Sequence, residues 1–110
     1  MEVRRGDILI VVHGDLGRPR PAVVVQTDAI GNQTSTILVS PVTSDLTEHL
    51  PLRPMLEPDA VNGLRSRSQI MVDKTLAIQR NGIRKLVGRL DASATERLDR
   101  ALMVVLGLTR

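Results

Sequence analysis

Apolar residues in the first part of the chain occur in short runs separated by glycine, proline and polar residues. The run at residues 7–12 is rich in β-branched side chains and apolar at consecutive positions, which is typical of a strand buried on both faces. Residues 22–27 and 35–40 form two similar runs, and Pro41 is predicted to close the last of them. The pattern therefore predicts three strands in this part of the chain.

Glycine and proline mark the connections between the predicted elements. Residues 13–21 contain two glycines and two prolines and are predicted to form a loop between the first two strands. The dipeptides Gly31-Asn32 and Asn62-Gly63 are turn signals. Proline also separates Leu50 from Leu52, which indicates a short edge strand. Further strands are predicted at residues 69–72, 75–78 and 85–90.

The last part of the chain changes to helical periodicity. Ser93 and Glu96 have the spacing of a capping box, which predicts that a helix begins there. Apolar side chains follow at helical spacing, and Gly107 is placed to end the helix. The final turns are apolar nearly all round, which predicts burial against a partner subunit as well as against the chain's own sheet.

Several short strands followed by one helix predict a mainly β protein with one C-terminal α-helix. The expected architecture is a small, strongly bent antiparallel sheet or open barrel. With 110 residues, the chain is predicted to form one domain over residues 1–110. A domain of this size leaves strand edges and apolar surface uncovered, so we expect a homodimer.

Composition narrows the chemistry that is open to this domain. The chain has no Phe, Tyr or Trp, so RNA could not be held by bases stacking on aromatic rings. It has no Cys, which excludes disulfides, thiolate catalysis and cysteine-ligated zinc. The first apolar run is too short for a secretion signal or a membrane span. We therefore expect a cytoplasmic protein with no membrane contact.

The basic residues are nearly all arginine, since Lys74 and Lys85 are the only lysines. The formal net charge is +3 and the sequence pI is about 10.5. Arginine presents a planar, permanently charged fork that suits phosphate groups. A GC-rich genome also favours arginine codons, and composition leaves both interpretations open.

The chain lacks the residues that most classes of catalytic site require. The only histidines, His13 and His49, are far apart and show no metal-ligand spacing. No phosphate-binding Gly-Lys-Ser/Thr motif and no serine-nucleophile elbow is present. RNA cleavage requires less, because the substrate supplies its own 2′-OH nucleophile. A cation, a hydroxyl and a proton acceptor suffice for that reaction.

Several motifs, in order, resemble the MazF/PemK-like toxins. The chain has Arg-Gly-Asp-Ile at residues 5–8 and Gly-Arg-Pro-Arg-Pro-Ala at residues 17–22, where that family has its entry motif and the loop before the second strand. Ser-Pro-Val-Thr-Ser at residues 40–44 resembles the segment after the family's third strand. Matching motifs continue through residues 62–64 and 68–74, so the resemblance covers essentially the whole chain.

The resemblance implies a sequence-selective endoribonuclease, the toxin of a type II toxin–antitoxin system. The implied fold is an SH3-like small barrel of the MazF/PemK/CcdB type, assembled as a homodimer. The implied partners are single-stranded RNA and a cognate antitoxin, with operator DNA contacted only through the antitoxin complex. Neither a metal ion nor a cofactor is expected, and cleavage would leave a 2′,3′-cyclic phosphate or a 3′-phosphate, together with a 5′-OH.

The same resemblance assigns roles to particular residues. Arg20 occupies the position of the family's catalytic arginine, and Thr43 that of its active-site threonine, with Ser44 beside it. Asp15 and Asp73 lie where some members carry an acid, so each is a candidate acid, base or substrate contact. Family members with an acid at the position of Asp73 have an arginine two residues before it, where this chain has Met71. The candidate RNA contacts are Arg18, Arg53, Arg65, Arg67 and Gln69; a solvated basic face is the alternative interpretation of the arginines.

Two other functions are compatible with the same fold. One is a CcdB-like toxin that binds DNA gyrase without catalysis, but that branch ends its helix with Trp-Gly-Ile and this chain has no Trp. The other is an inactive homologue that serves only as a binding module. The presence of both Arg20 and Thr43 argues against it.

Overall fold

The computed structural model describes residues 1–14, 18–48 and 52–109, and it is mainly β with one helix. This confirms the predicted fold class. Short 3-10 turns connect several of the elements. The strands and the helix are β1 (Asp7–Val11), β2 (Arg20–Val24), β3 (Thr36–Thr43), β4 (Met55–Leu56), β5 (Ser68–Ile70), β6 (Leu76–Gln79), β7 (Ile83–Arg89) and α1 (Ala92–Val105).

The strands form a curled antiparallel sheet with the order β4-β5-β3-β2-β1-β7, and β6 pairs with β3 outside this path. The long strand β3 exchanges partners along its length. Its first half pairs with β6 through residues 36–39, and its end pairs with β5 at Val42 and Thr43. The exchange bends the sheet into an open half-barrel, and it places the end of β3 between β2 and β5.

Both faces of the central strands are buried. Ile8 and Val23 belong to a cluster that packs under the helix, whereas their neighbours Leu9 and Val24 belong to a second cluster on the opposite face. All four side chains are at most 1% exposed. Because successive residues of a strand point to opposite faces, the continuous apolar runs of β1 and β2 supply both clusters. The prediction of a strand covered on both faces is confirmed for β1.

The helix α1 covers one face of the sheet, with Leu98 fully buried at its centre. It begins two residues earlier than predicted, because the carboxylate of Asp91 accepts a hydrogen bond from the backbone N–H of Ala94 at 2.8 Å. The predicted capping role of Ser93 is therefore wrong. Gly107 follows the helix with a φ of 71°, which confirms it as the terminator. Within the described residues, no helix is long and apolar enough to cross a membrane.

Two strand boundaries and one strand differ from prediction. β2 begins at Arg20, so this arginine lies in the sheet and not in the preceding loop. β3 continues through Pro41 to Thr43, since Pro41 lies where the strand changes partners and its carbonyl accepts a hydrogen bond from Met71. The edge strand predicted at Leu50 and Leu52 is not borne out at Leu52, which lies in a turn, while Leu50 and Pro51 lie outside the described residues. The short edge strand of the sheet is β4, a few residues later.

Candidate active site

The start of β2 and the end of β3 meet at one place on the sheet. Ala22 of β2 pairs with Pro41 of β3, and each step back along β2 corresponds to one step forward along β3. The recorded pairing ends there, but its direction leads from Ala22 back to Arg20 and from Pro41 forward to Thr43, and both of these residues line the same groove. Arg20 is paired with Val11 of β1, so the sheet holds its backbone. The two residues assigned as catalytic by resemblance therefore converge, although they are far apart in sequence.

Arg20 and Thr43 line an open groove of about 870 Å³. One side is formed by the residues that lead into β2, and another by the end of β3 and the loop that follows it. The segment 63–66 and the middle of β7 complete the walls. The lining residues that carry polar or charged side chains are Arg18, Arg20, Thr43, Ser44, Asp45, Arg65, Ser66, Ser68 and Lys85.

The cations in this groove have no partners in the described part of the chain. The side chains of Arg18, Arg20, Arg65 and Lys85 form no hydrogen bond or ion pair with a described residue. A concave surface with uncompensated positive charge attracts a polyanion. Lys85 was not among the predicted contacts, because its predicted strand gave no indication of which element would face it. Its only sequence signal is that it is one of two lysines.

The hydroxyl of Thr43 has a defined orientation. Its Oγ1 accepts a hydrogen bond from the backbone N–H of Asp45 at 3.0 Å. Because a hydroxyl carries one donor as well as its acceptor lone pairs, the O–H remains available to a bound group. Thr43 is half-buried, whereas Ser44 and Asp45 are exposed. The arrangement thus presents an O–H donor at the edge of the groove.

Gln69 holds the loop that follows Thr43 at the edge of the groove. It lies opposite Thr43 on β5 and is buried. Its Oε1 accepts from the backbone N–H of Thr47 at 3.1 Å, and its Nε2 donates to the Thr47 carbonyl at 2.8 Å. The side chain thereby tethers the loop that follows β3. This placement supports a structural role, and it lends no support to the predicted contact with RNA.

A compact turn around Asn62 holds the wall that contains Arg65. The buried Asn62 accepts hydrogen bonds at Oδ1 from the backbone N–H groups of Asp59 and Leu64, at 3.1 and 3.0 Å, and its Nδ2 donates to the Glu57 carbonyl at 2.8 Å. At Gly63 the φ is 68°, and a Cβ would lie 2.4 Å from the carbonyl oxygen of Val87. Only glycine fits this close approach to β7.

Two predicted site residues pair with each other elsewhere. Arg53 donates two hydrogen bonds to the carboxylate of Asp73, at 2.8 and 3.0 Å, and its side chain is only 7% exposed. The hydrogen bond from Arg53 lowers the pKa of Asp73, and the same bond raises the pKa of Arg53. Neither residue lines the groove, so the structure does not bring this pair to Arg20 and Thr43.

Two further predicted site residues, Arg67 and Asp15, are not among the described residues that line the groove. Arg67 is exposed, forms an ion pair with Glu57 at 2.7 Å and does not line the groove. Asp15 lies outside the described residues. Across residues 1–14, 18–48 and 52–109, no group of three or more His, Cys, Asp or Glu side chains could hold a metal ion.

Comparisons with known proteins assign the chain to a family. The model of the "PemK-like, MazF-like toxin of type II toxin-antitoxin system" family matches residues 4–106. The chain is 36% identical over 108 residues to a probable endoribonuclease MazF of Mycolicibacterium smegmatis, with 96% of this chain and 98% of the relative covered. It is 30% identical over 115 residues to endoribonuclease EndoA of Bacillus subtilis, with 98% and 97% covered.

The fold agrees with a solved structure of an endoribonuclease in complex with its cognate antitoxin from mycobacterial species. The TM-score is 0.84 at 17% identity, and 98% of each chain is covered. At that identity the likeness concerns the fold, whereas the family match and the two relatives concern the sequence. Together with the ordered motifs, they establish that this chain belongs to the PemK-like, MazF-like toxin family of type II toxin–antitoxin systems.

Proposed function

We propose that the chain, as one domain over residues 1–110, is an endoribonuclease toxin that cleaves single-stranded RNA at selected sequences without a metal ion or cofactor. Translation and growth would be inhibited as a result. The observation that carries the proposal is the convergence of Arg20 and Thr43 on one groove whose described cations have no protein partners. Two relatives with similarity along nearly the whole chain are named endoribonucleases, which supports it.

The proposed reaction is a transesterification within the RNA. The ribose 2′-oxygen attacks the adjacent phosphorus, and the P–O5′ bond breaks to leave a 2′,3′-cyclic phosphate and a 5′-OH. Arg20 is placed to stabilise the extra negative charge of the phosphorane, because its guanidinium is not neutralised by a described carboxylate. The O–H of Thr43 donates to a non-bridging phosphate oxygen, since its Oγ1 is already oriented by the Asp45 N–H.

We further propose that the toxin is a cytoplasmic homodimer controlled by a cognate antitoxin. A structural neighbour is described as an endoribonuclease in complex with its cognate antitoxin, which supports the antitoxin. Large apolar side chains at the end of α1 are exposed in the single chain, which supports a second subunit. These side chains are Met103, Val104, Leu106 and Leu108.

The CcdB-like alternative is not favoured. The relatives described above are named endoribonucleases, and the chain has no Trp from which to build the gyrase-contacting tail. An inactive homologue would have no need for an arginine without a described partner that lines the same groove as a threonine donor.

The test is cleavage of total RNA by the purified protein in EDTA, with mapping of the newly formed 5′-OH ends. We expect full activity in the chelator, and a loss of about 100-fold or more in Arg20→Ala, because removal of one transition-state charge contact has an effect of that size. Arg100→Ala is the matched control, since Arg100 is exposed on α1 and pairs with Glu96. Dependence on a metal, or an Arg20→Ala protein as active as the control, would contradict the proposal.

A further inference from the structure

The groove contains a carboxylate that the reaction described above does not use. Asp45 is the only acidic residue among the described residues that line the groove, where Arg18, Arg20, Arg65 and Lys85 also lie. Its carboxylate accepts no hydrogen bond and forms no ion pair within the described ranges. Its backbone is held, however, because the Asp45 N–H donates to Thr43 Oγ1 at 3.0 Å. An acid without a described partner therefore lies two residues from the threonine donor, on a backbone held by that donor's oxygen.

Other aspartates of the chain differ from Asp45 in having hydrogen-bond donors for their carboxylates. Asp73, Asp91 and Asp59 each accept hydrogen bonds from a guanidinium or from backbone N–H groups. Asp45 has four cations in the same groove, yet pairs with none of them. A free carboxylate repels the phosphates of RNA, so in a productive complex it must face a donor on another part of the nucleotide.

The donor closest to the scissile phosphate is the ribose 2′-OH. Thr43 and Asp45 are two residues apart and joined through the turn, so a phosphate oxygen on the Thr43 O–H brings the neighbouring ribose towards Asp45. A base amino group is a competing donor, but it lies farther from the phosphorus than the 2′-OH does. Both groups can donate a hydrogen bond to a carboxylate, and the experiment below distinguishes them.

Resting on the proposed endoribonuclease function, we propose that Asp45 is the general base, a catalytic residue that removes the proton of the attacking 2′-OH. The proton passes from the 2′-oxygen to the Asp45 carboxylate as the 2′-O–P bond forms. The P–O5′ bond then breaks, and the 5′-oxygen takes a proton from water. The proton on Asp45 returns to the hydroxide so produced, and the reaction consumes no net proton.

Asp45→Asn tests the assignment, because it keeps the shape and the backbone hydrogen bond to Thr43 while removing the proton acceptor. Single-turnover cleavage is expected to fall about 100-fold or more, the usual range for the loss of a general base. Binding of an oligonucleotide with 2′-deoxyribose at the cleaved position should be unchanged or tighter, because a charge that repels phosphate is gone. Glu48→Gln is the control, since Glu48 is an exposed acid on the same loop that does not line the groove.

The rates of Asp45→Ala provide a second readout. Added formate or imidazole should restore part of its cleavage rate and leave Arg20→Ala unaffected, as expected if only the proton acceptor is missing. An Asp45→Asn protein with wild-type rates overturns the assignment. So does one that cleaves at the wild-type rate but at different sequences, since Asp45 would then read a base. A wild-type protein that cleaves no RNA would instead count against the proposed function itself.

Discussion

At the scale of single residues, pairing separates the charged side chains of the groove from those that stabilise the fold. Arg20 and Arg65 line the groove without a described partner. Arg53, in contrast, forms an ion pair with Asp73, and Arg67 forms one with Glu57. The sequence identified all four as candidate functional arginines. It could not separate them, because pairing depends on which side chains the fold brings within about 3–4 Å.

Thr43 provides a test at this scale. Thr43→Val keeps the shape of the side chain but removes the O–H donor and the acceptor for the Asp45 N–H. We expect RNA cleavage to fall about 100-fold or more, while Thr43→Ser, which retains the hydroxyl, keeps most of the activity. The measurement is single-turnover cleavage of a fixed RNA, with thermal unfolding as the check on folding. Equal rates for the valine and serine variants would show that the hydroxyl has no part in the reaction.

At the scale of elements, apolar runs in the sequence predict where strands occur. They do not predict where the strands begin and end, because that depends on pairing with other strands. β1 was identified because both of its faces are apolar. The start of β2 differs from the prediction because Arg20 and Pro21 have the composition of a loop, and only pairing with β1 makes them a strand. In the same way, Pro41 indicates the end of a strand, yet β3 continues past it because the strand changes partners there.

The turn around Asn62 gives a prediction for an element. Asn62→Ala leaves the backbone N–H groups of Asp59 and Leu64 without their acceptor. We expect the free energy of unfolding to fall by about 2–3 kcal/mol, the usual cost of buried groups that lose their hydrogen-bond partner. Asn81→Ala, at an exposed position, should change it by no more than about 0.5 kcal/mol. Equal stabilities in urea unfolding would contradict this account of the wall.

At the scale of the whole molecule, the distribution of charge matters more than its sum. The formal net charge is only +3, yet four cations without described partners line a single groove. We predict that such a surface binds single-stranded nucleic acid with an affinity that falls as the salt concentration rises, because added salt reduces the free energy gained from counterion release. This prediction follows from the position of the four cations, and the net charge alone does not lead to it.

The two lysines of the chain provide a matched pair of variants to test whether the groove binds single-stranded nucleic acid. Lys85 lines the groove, and Lys74 is exposed on a 3-10 turn away from it. With a non-cleavable 2′-deoxy analogue, Lys85→Ala should reduce the slope of log affinity against log salt concentration by about 0.7, the contribution of one phosphate contact in a single strand. Lys74→Ala should leave the slope unchanged. Equal slopes for the two variants would mean that the groove is not the binding surface.

The sequence by itself determined the fold class, the family and the identity of the residues at the centre of the groove. These rest on local signals, namely apolar runs, turn residues and ordered motifs, which do not depend on distant contacts. The tertiary structure decided which of the candidate side chains lie together. It paired Arg53 with Asp73 away from the groove, buried Gln69 as a tether, and brought Lys85 and Asp45 to the same surface as Arg20 and Thr43. The physical reason is that charge pairing, burial and convergence are properties of distance in space, which strand register and sheet curvature set.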